Sequence, residues 1–151
     1  ILTICLSITG IYDFAVIVKG NGPGRRVAVN MNSDLTCWLA EHLDKNDLLL
    51  TPEYSMNEVT MSGVMLYCGW PYYAWSAGYD TNYRAAQAVT IYTTSDSETL
   101  KSTVKQEKIT YILFEEGSEF EQQVCQEETI AATYEKVYET QDGRIRIYKT
   151  N

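Results

Sequence analysis

Apolar positions along this chain change period several times, and each change predicts an element. Leu35, Trp38, Leu39, His42 and Leu43 recur at i, i+3, i+4, i+7 and i+8, one face of a helix that Asn32 or Ser33 caps and Asp34 begins. "VAVNM" at 27–31 reads as a short strand, and "DLLLT" at 47–51, stopped by Pro52, as a buried one. A helical turn follows between Glu53 and Ser62, and "VMLYCGW" at 64–70 is the next strand. Asp80 is placed to cap a helix over 81–92, with Arg84 one turn on to pair with it; Ala85, Ala86 and Ala88 let that helix approach a sheet closely. "SDSE" at 95–98 has the spacing of a capping box and predicts a helix to Glu107, packed through Leu100 and Val104. "ITYILFEE" at 109–116 is the strongest strand, and period-two alternation on both sides of Asp142-Gly143 predicts a terminal hairpin.

Strands that alternate with helices bury both faces of a parallel sheet. The expected fold is therefore α/β: a three-layer sandwich with a largely parallel, Rossmann-like sheet and an antiparallel hairpin at the end. Residues 1–18 form an apolar segment whose one charge is Asp13. It reads either as a buried helix or strand, or as the end of a membrane helix. "KGNGPGRR" at 19–26 reads as a linker, and 27–151 as a single domain.

Composition narrows the function. The chain has 151 residues, 45% hydrophobic and 21% charged, with a formal net charge of −8. That sign argues against nucleic acid, whose phosphates require cations. Cys5, Cys37, Cys68 and Cys125 are far apart and form no C-x-x-C; small buried side chains are the expectation, with no metal centre. His42 is the only histidine, on an apolar stripe, and is expected to be packed and hydrogen-bonded. Gly20, Gly22 and Gly24 alternate without completing a dinucleotide-binding pattern. No cofactor is expected.

The densest chemistry lies in "GWPYYAWSAGYDTNYR", 69–84, which has two tryptophans and four tyrosines and reads as a loop. Open parallel sheets take ligands beyond the carboxyl ends of their strands. Three predicted strands end at Thr51-Pro52-Glu53-Tyr54, at Gly69-Trp70 and at Glu115-Glu116. If they are parallel, Glu53, Tyr54, Trp70, Tyr72, Tyr73, Trp75, Asp80, Arg84 and Glu115 border one cleft. Rings stack on the C–H faces of a sugar while charged groups bind its hydroxyls. The competing expectation is that the rings fold inward and complete the core. No catalytic residue emerges: Glu115 and Glu116 should point to opposite faces of a strand, and Cys37 lies well round the helix from His42.

Four stretches occur in an order that resembles a known group: "TGIYDF" at 9–14, "WLAEHLDKNDLLLTPEYS" at 38–55, "LYCGWPYYAWSAGYDTNYR" at 66–84 and "ITYILFEE" at 109–116. They are similar to the soluble C-terminal region of polytopic bacterial membrane glycosyltransferases of the GT-C type. The distinctive core is Trp-Ser-x-Gly-Tyr-Asp, 75–80. The resemblance implies a lipid-linked sugar donor and catalysis in loops of the membrane portion. It places 1–18 at the end of the last membrane helix and the remainder on the extracytoplasmic side of the cell membrane. Relatives often carry His-Pro and Gly-Arg before the second strand, where this chain has Met56-Asn57 and Gly63-Val64, and no catalytic residue carries over. The expectation is a non-catalytic accessory domain that positions glycan acceptor or lipid-linked donor, with the membrane portion of the same protein as partner. The alternatives are a structural domain packed on that membrane portion, and a stand-alone hydrolase or nucleotide-binding domain.

Overall fold

The computed structural model describes residues 2–20, 30–53 and 58–151, with side chains in the first segment from Gly10 onward. Its elements are, in chain order, α1 (Leu2–Gly20), α2 (Asp34–His42), β1 (Leu48–Leu50), α3 (Glu58–Met61), β2 (Met65–Leu66), α4 (Pro71–Ser76), α5 (Asn82–Thr93), α6 (Ser97–Glu107), β3 (Tyr111–Glu115), β4 (Glu119–Phe120), β5 (Gln123–Val124), α7 (Glu128–Thr133), β6 (Glu135–Glu139) and β7 (Ile145–Lys149).

Five strands form one mixed sheet in the order β2-β1-β3-β7-β6. β1 pairs parallel with β2 and with β3, while β7 pairs antiparallel with β3 and with β6. The sheet thus has a parallel core joined to the expected C-terminal hairpin, and β4 with β5 makes a separate two-stranded ribbon.

Side chains alternate across a strand, so the sheet sorts its apolar residues into two cores. Leu50, Ile112, Phe114 and Tyr148 face one cluster with Ala88, Ile91 and Tyr92 of α5, Leu100 and Val104 of α6 and Ile130 of α7. Leu49, Tyr111, Leu113 and Ile147 face the other, with Leu35 and Leu39 from α2, Leu43 just after it and Val59 from α3. Ala85 and Ala88 are the buried alanines that bring α5 close to the sheet. The Tyr92 hydroxyl, fully buried, donates to the Leu113 carbonyl at 2.6 Å and so satisfies its own polar atom inside the core.

Several expectations shift in detail. The second strand is only Met65–Leu66: the Tyr67 N–H still donates to the Leu49 carbonyl of β1 at 2.9 Å, but the chain bends over 67–69 toward α4. Within 69–84 the expected loop is interrupted by α4 (Pro71–Ser76) and ends where α5 begins at Asn82; 69–70 and 77–81 are non-helical. Pro71 occupies the first turn of α4, where its missing N–H costs nothing, and Gly78 at φ +87 ends the helix as its Tyr79 neighbour donates back to the Ala74 carbonyl. Asp96, not Ser95, caps α6, accepting from the N–H groups of Glu98 and Thr99. Asn30 and Met31 belong to no strand; the remainder of 27–31 lies outside the described residues. Cys68 and Cys125 are buried, whereas Cys37 is exposed.

α1 is a helix, but its residues 10–19 are exposed, and none of its described side chains joins either core cluster. It runs through Lys19 and Gly20, the first two positions of the expected linker; 21–26 lie outside the described residues. Among the described residues, no helix is long and apolar enough to cross a membrane.

Candidate ligand sites at the carboxyl edge of the sheet

Parallel pairing on both sides of β1 sends the carboxyl ends of β2, β1 and β3 to one edge, as the sequence leads one to expect. The chain leaves β1 for β2 on one side and returns to β3 on the other, so the β1/β3 junction is a topological switch point. The expected single cleft, however, is divided into two depressions and an outer ring surface.

The first depression, about 740 Å³, lies at the switch point and is bordered by Glu53, Glu115, Glu116, Glu119, Glu121 and Arg144. Glu115 and Glu116 both border it, contrary to the opposite-face expectation, because Glu116 lies beyond the last strand residue and Gly117 turns the chain at φ +74. Arg144 approaches Glu115 at 3.8 Å, and Glu53 accepts the Glu121 N–H at 2.9 Å. Glu121 and Gln122 hold left-handed conformations at the tip of the β4–β5 ribbon. Five carboxylates against one guanidinium make this a cation-attracting field that repels phosphate. Among the described residues, no group of three or more histidine, cysteine, aspartate or glutamate side chains is arranged to hold a metal ion.

The second depression, about 520 Å³, runs between the residues after β2 and the first turn of α5. Tyr67, Cys68, Trp70, Tyr79, Asp80 and Arg84 border it. Arg84 does not pair with Asp80; it donates from Nη1 to the Tyr67 carbonyl at 3.1 Å and lies 5.2 Å from the centre of the Tyr67 ring. Asp80 accepts the Asn82 N–H at 2.9 Å, and so acts near the α5 start while Thr81 makes no capping bond. Behind the wall, Glu107 accepts from the Tyr67 and Tyr83 hydroxyls at 2.8 and 2.7 Å, and Gln106 donates to the Tyr83 oxygen at 2.8 Å.

Electrostatics follow from these contacts. Desolvation alone would raise the Glu107 pKa, but the Tyr83 and Tyr67 hydroxyls outweigh it and hold the carboxyl below its ordinary value. Burial, with the Glu107 hydrogen bond, pushes the Tyr67 phenol well up. Burial pushes the Cys68 thiol up to about 11 despite the nearby Arg84 charge, with Glu53 and Glu121 adding to the rise. Cys68 is therefore a thiol at neutral pH and a poor nucleophile.

The third group is the outer surface of α4. No residue of this helix is buried, so the inward-folded alternative for these rings is overturned. Tyr72, Tyr73 and Trp75 are exposed and border neither depression. Trp70 joins them to the second depression: its ring is 5.2 Å from Tyr73 and 5.9 Å from Tyr72, which is 6.1 Å from Trp75.

Of the expected site residues, Trp70, Asp80 and Arg84 come together, Glu53 and Glu115 come together next door, and Tyr72, Tyr73 and Trp75 stand apart. Tyr54 lies outside the described residues. Sequence reasoning missed Tyr67, which holds Arg84, Glu107, which accepts from the Tyr67 hydroxyl behind the wall, Cys68 in that wall, and Arg144 in the first depression. Only the position of Arg144 just after the Asp142-Gly143 turn was a local signal. His42 stacks on Trp38 with ring centres 4.5 Å apart, and its Nδ1 lies 2.9 Å from the Trp38 carbonyl, yet it is exposed rather than packed inside.

No protein-family model and no curated protein matches the chain.

Proposed function

We propose that this chain is a non-catalytic accessory domain of a membrane glycosyltransferase, held on the extracytoplasmic side of the cell membrane. There it contacts glycan acceptor or the sugar of a lipid-linked donor. The observation that carries the reading is the second depression: Trp70 offers a stacking face beside Asp80, an acceptor, and Arg84, a donor with no carboxylate at ion-pair distance among the described residues. A ring beside one acceptor and one fixed cation suits the alternating apolar faces and hydroxyls of a sugar.

α1 is read as the lipid-contacting end of the apolar N-terminal segment, and the membrane portion of the same protein as the partner. In its parallel half, the β2-β1-β3 order accords with a three-layer, Rossmann-like plan. A second reading, a structural domain that packs against its membrane portion, draws support from the exposed rings of α4.

The test is a titration of the chain with neutral and charged oligosaccharides, followed by tryptophan fluorescence and calorimetry. Saturable binding that Trp70→Ala and Arg84→Ala abolish supports the glycan reading. No saturable change with any glycan, in a chain that remains folded, rejects it and leaves the structural reading.

A further inference from the structure

The outer surface of α4 carries more exposed ring than the pocket beside it uses. Outside α1, ten large hydrophobic side chains are exposed among the described residues, and eight of them fall between Met61 and Tyr83. Tyr72 is 54% exposed, Tyr73 59% and Trp75 65%. From Val59 to Tyr79 the sequence holds no charged residue, 21 positions in a chain that is 21% charged. A sugar platform keeps carboxylates or amides beside its rings; Tyr72, Tyr73 and Trp75 have no charged neighbour in sequence from Val59 to Tyr79.

We propose that this surface seats the domain on a lipid bilayer, with Tyr72, Tyr73 and Trp75 lodged at headgroup level. Tryptophan and tyrosine combine an apolar body with a polar tip, which matches the gradient from acyl chain to water.

α1 points independently to the same phase. Ile11, Tyr12, Phe14, Val16, Ile17 and Val18 are all exposed. At about 100° per residue they leave no polar arc wider than about 100° round the helix. That exposed apolar surface suits contact with the acyl region just beneath the headgroups. Charge selects the kind of lipid: a net charge of −8 is repelled by an anionic leaflet, and an uncharged ring surface loses nothing against zwitterionic headgroups. The proposal shares the membrane placement of the proposed function, but uses none of the side chains of its glycan pocket.

The experiment is co-sedimentation of the chain with phosphatidylcholine vesicles, comparing the parent with the Tyr72→Ser/Tyr73→Ser/Trp75→Ser variant. These side chains are exposed, so the variant keeps the core, which circular dichroism verifies. The expected result is partition about tenfold weaker in the variant, since affinity scales with apolar area inserted. Replacing half the lipid by phosphatidylglycerol should weaken binding of the parent. Acyl chains brominated near the headgroup should quench the parent's emission more than that of Trp75→Phe.

Equal partition of parent and triple variant, or equal quenching in Trp75→Phe, overturns the proposal and leaves α1 as the lipid contact. Self-association of the lipid-free chain that the triple variant abolishes and vesicles fail to dissolve also overturns it, in favour of a second copy. Trp75→Ser alone retains Trp70 with both of its ring neighbours, Tyr72 and Tyr73, and so its glycan titration should match the parent's. Failure of the glycan reading appears separately, as the absence of glycan binding in the parent.

Discussion

Arg84 and Tyr67 form a fixed pair: the guanidinium donates to the Tyr67 carbonyl at 3.1 Å while lying 5.2 Å from the centre of the ring. The carbonyl belongs to the first residue after β2 and the guanidinium to the first turn of α5. One contact therefore closes the wall of the second depression and aims a cation into it.

Loss of that cation should remove binding without unfolding the domain. Arg84→Ala is expected to weaken glycan binding at least about tenfold, the scale of a hydrogen bond to a charged group. Its melting temperature should shift little, because Arg84 is exposed. Arg84→Lys should not restore affinity, since an ammonium cannot hold the carbonyl and present a planar fork at once. Calorimetric titration and a melting curve on each variant check this.

The Tyr67–Glu107–Tyr83 bridge predicts an acid limb to stability. The folded-state pKa of Glu107 is depressed by the two hydroxyls against desolvation. Its contribution is thus fully present above the ordinary carboxylate value and is lost as pH falls through the lower folded value. Tyr67→Phe/Tyr83→Phe should flatten the melting temperature between pH 6 and pH 3 relative to the parent. An unchanged slope would remove the bridge from the account.

An alkaline limb follows from the buried phenols. Burial raises the pKa of Tyr92 well above the ordinary value, and burial with the Glu127 hydrogen bond does so for Tyr148. A raised folded pKa keeps its stabilisation below the unfolded value near 10 and loses it as pH rises beyond. Melting temperature should fall above pH 10, and Tyr92→Phe should lessen that fall. At neutral pH, the same variant should cost about 1–3 kcal/mol, because it leaves the Leu113 carbonyl without the hydroxyl that reaches it at 2.6 Å.

Capping of α6 offers a local test. Asp96 accepts from Thr99 N–H at 3.0 Å and Glu98 N–H at 3.3 Å, so Asp96→Ala should cost about 1 kcal/mol in urea denaturation. Ser95→Ala should be near neutral. The reverse order would reinstate the capping box that the S-x-x-E spacing suggests.

How much of this was legible in the chain depends on range. The 35–43 stripe, the apolar run at 109–116 and the Asp142-Gly143 turn each encode an element through contacts a few residues apart, and each appears in the fold. The strand ends could be read to one edge because a helix between strands forces parallel pairing. Residues 69–84 misled, since Gly and Pro argue against a strand but leave open whether Pro71 breaks a segment or starts a helix.

The amino-acid sequence by itself determined the α/β order, the shared carboxyl edge and the richness of that edge in rings and acids. Those are consequences of side-chain period and of turn chemistry, which act locally. Only the tertiary structure decided that the edge divides into an acidic depression, a ring-and-arginine pocket and an outward aromatic face. That division rests on contacts such as Tyr67 to Glu107, 40 positions apart, and Glu53 to Glu121, 68 apart. Which way a side chain leaves the end of a strand is set by what packs behind it, and no local pattern specifies that partner.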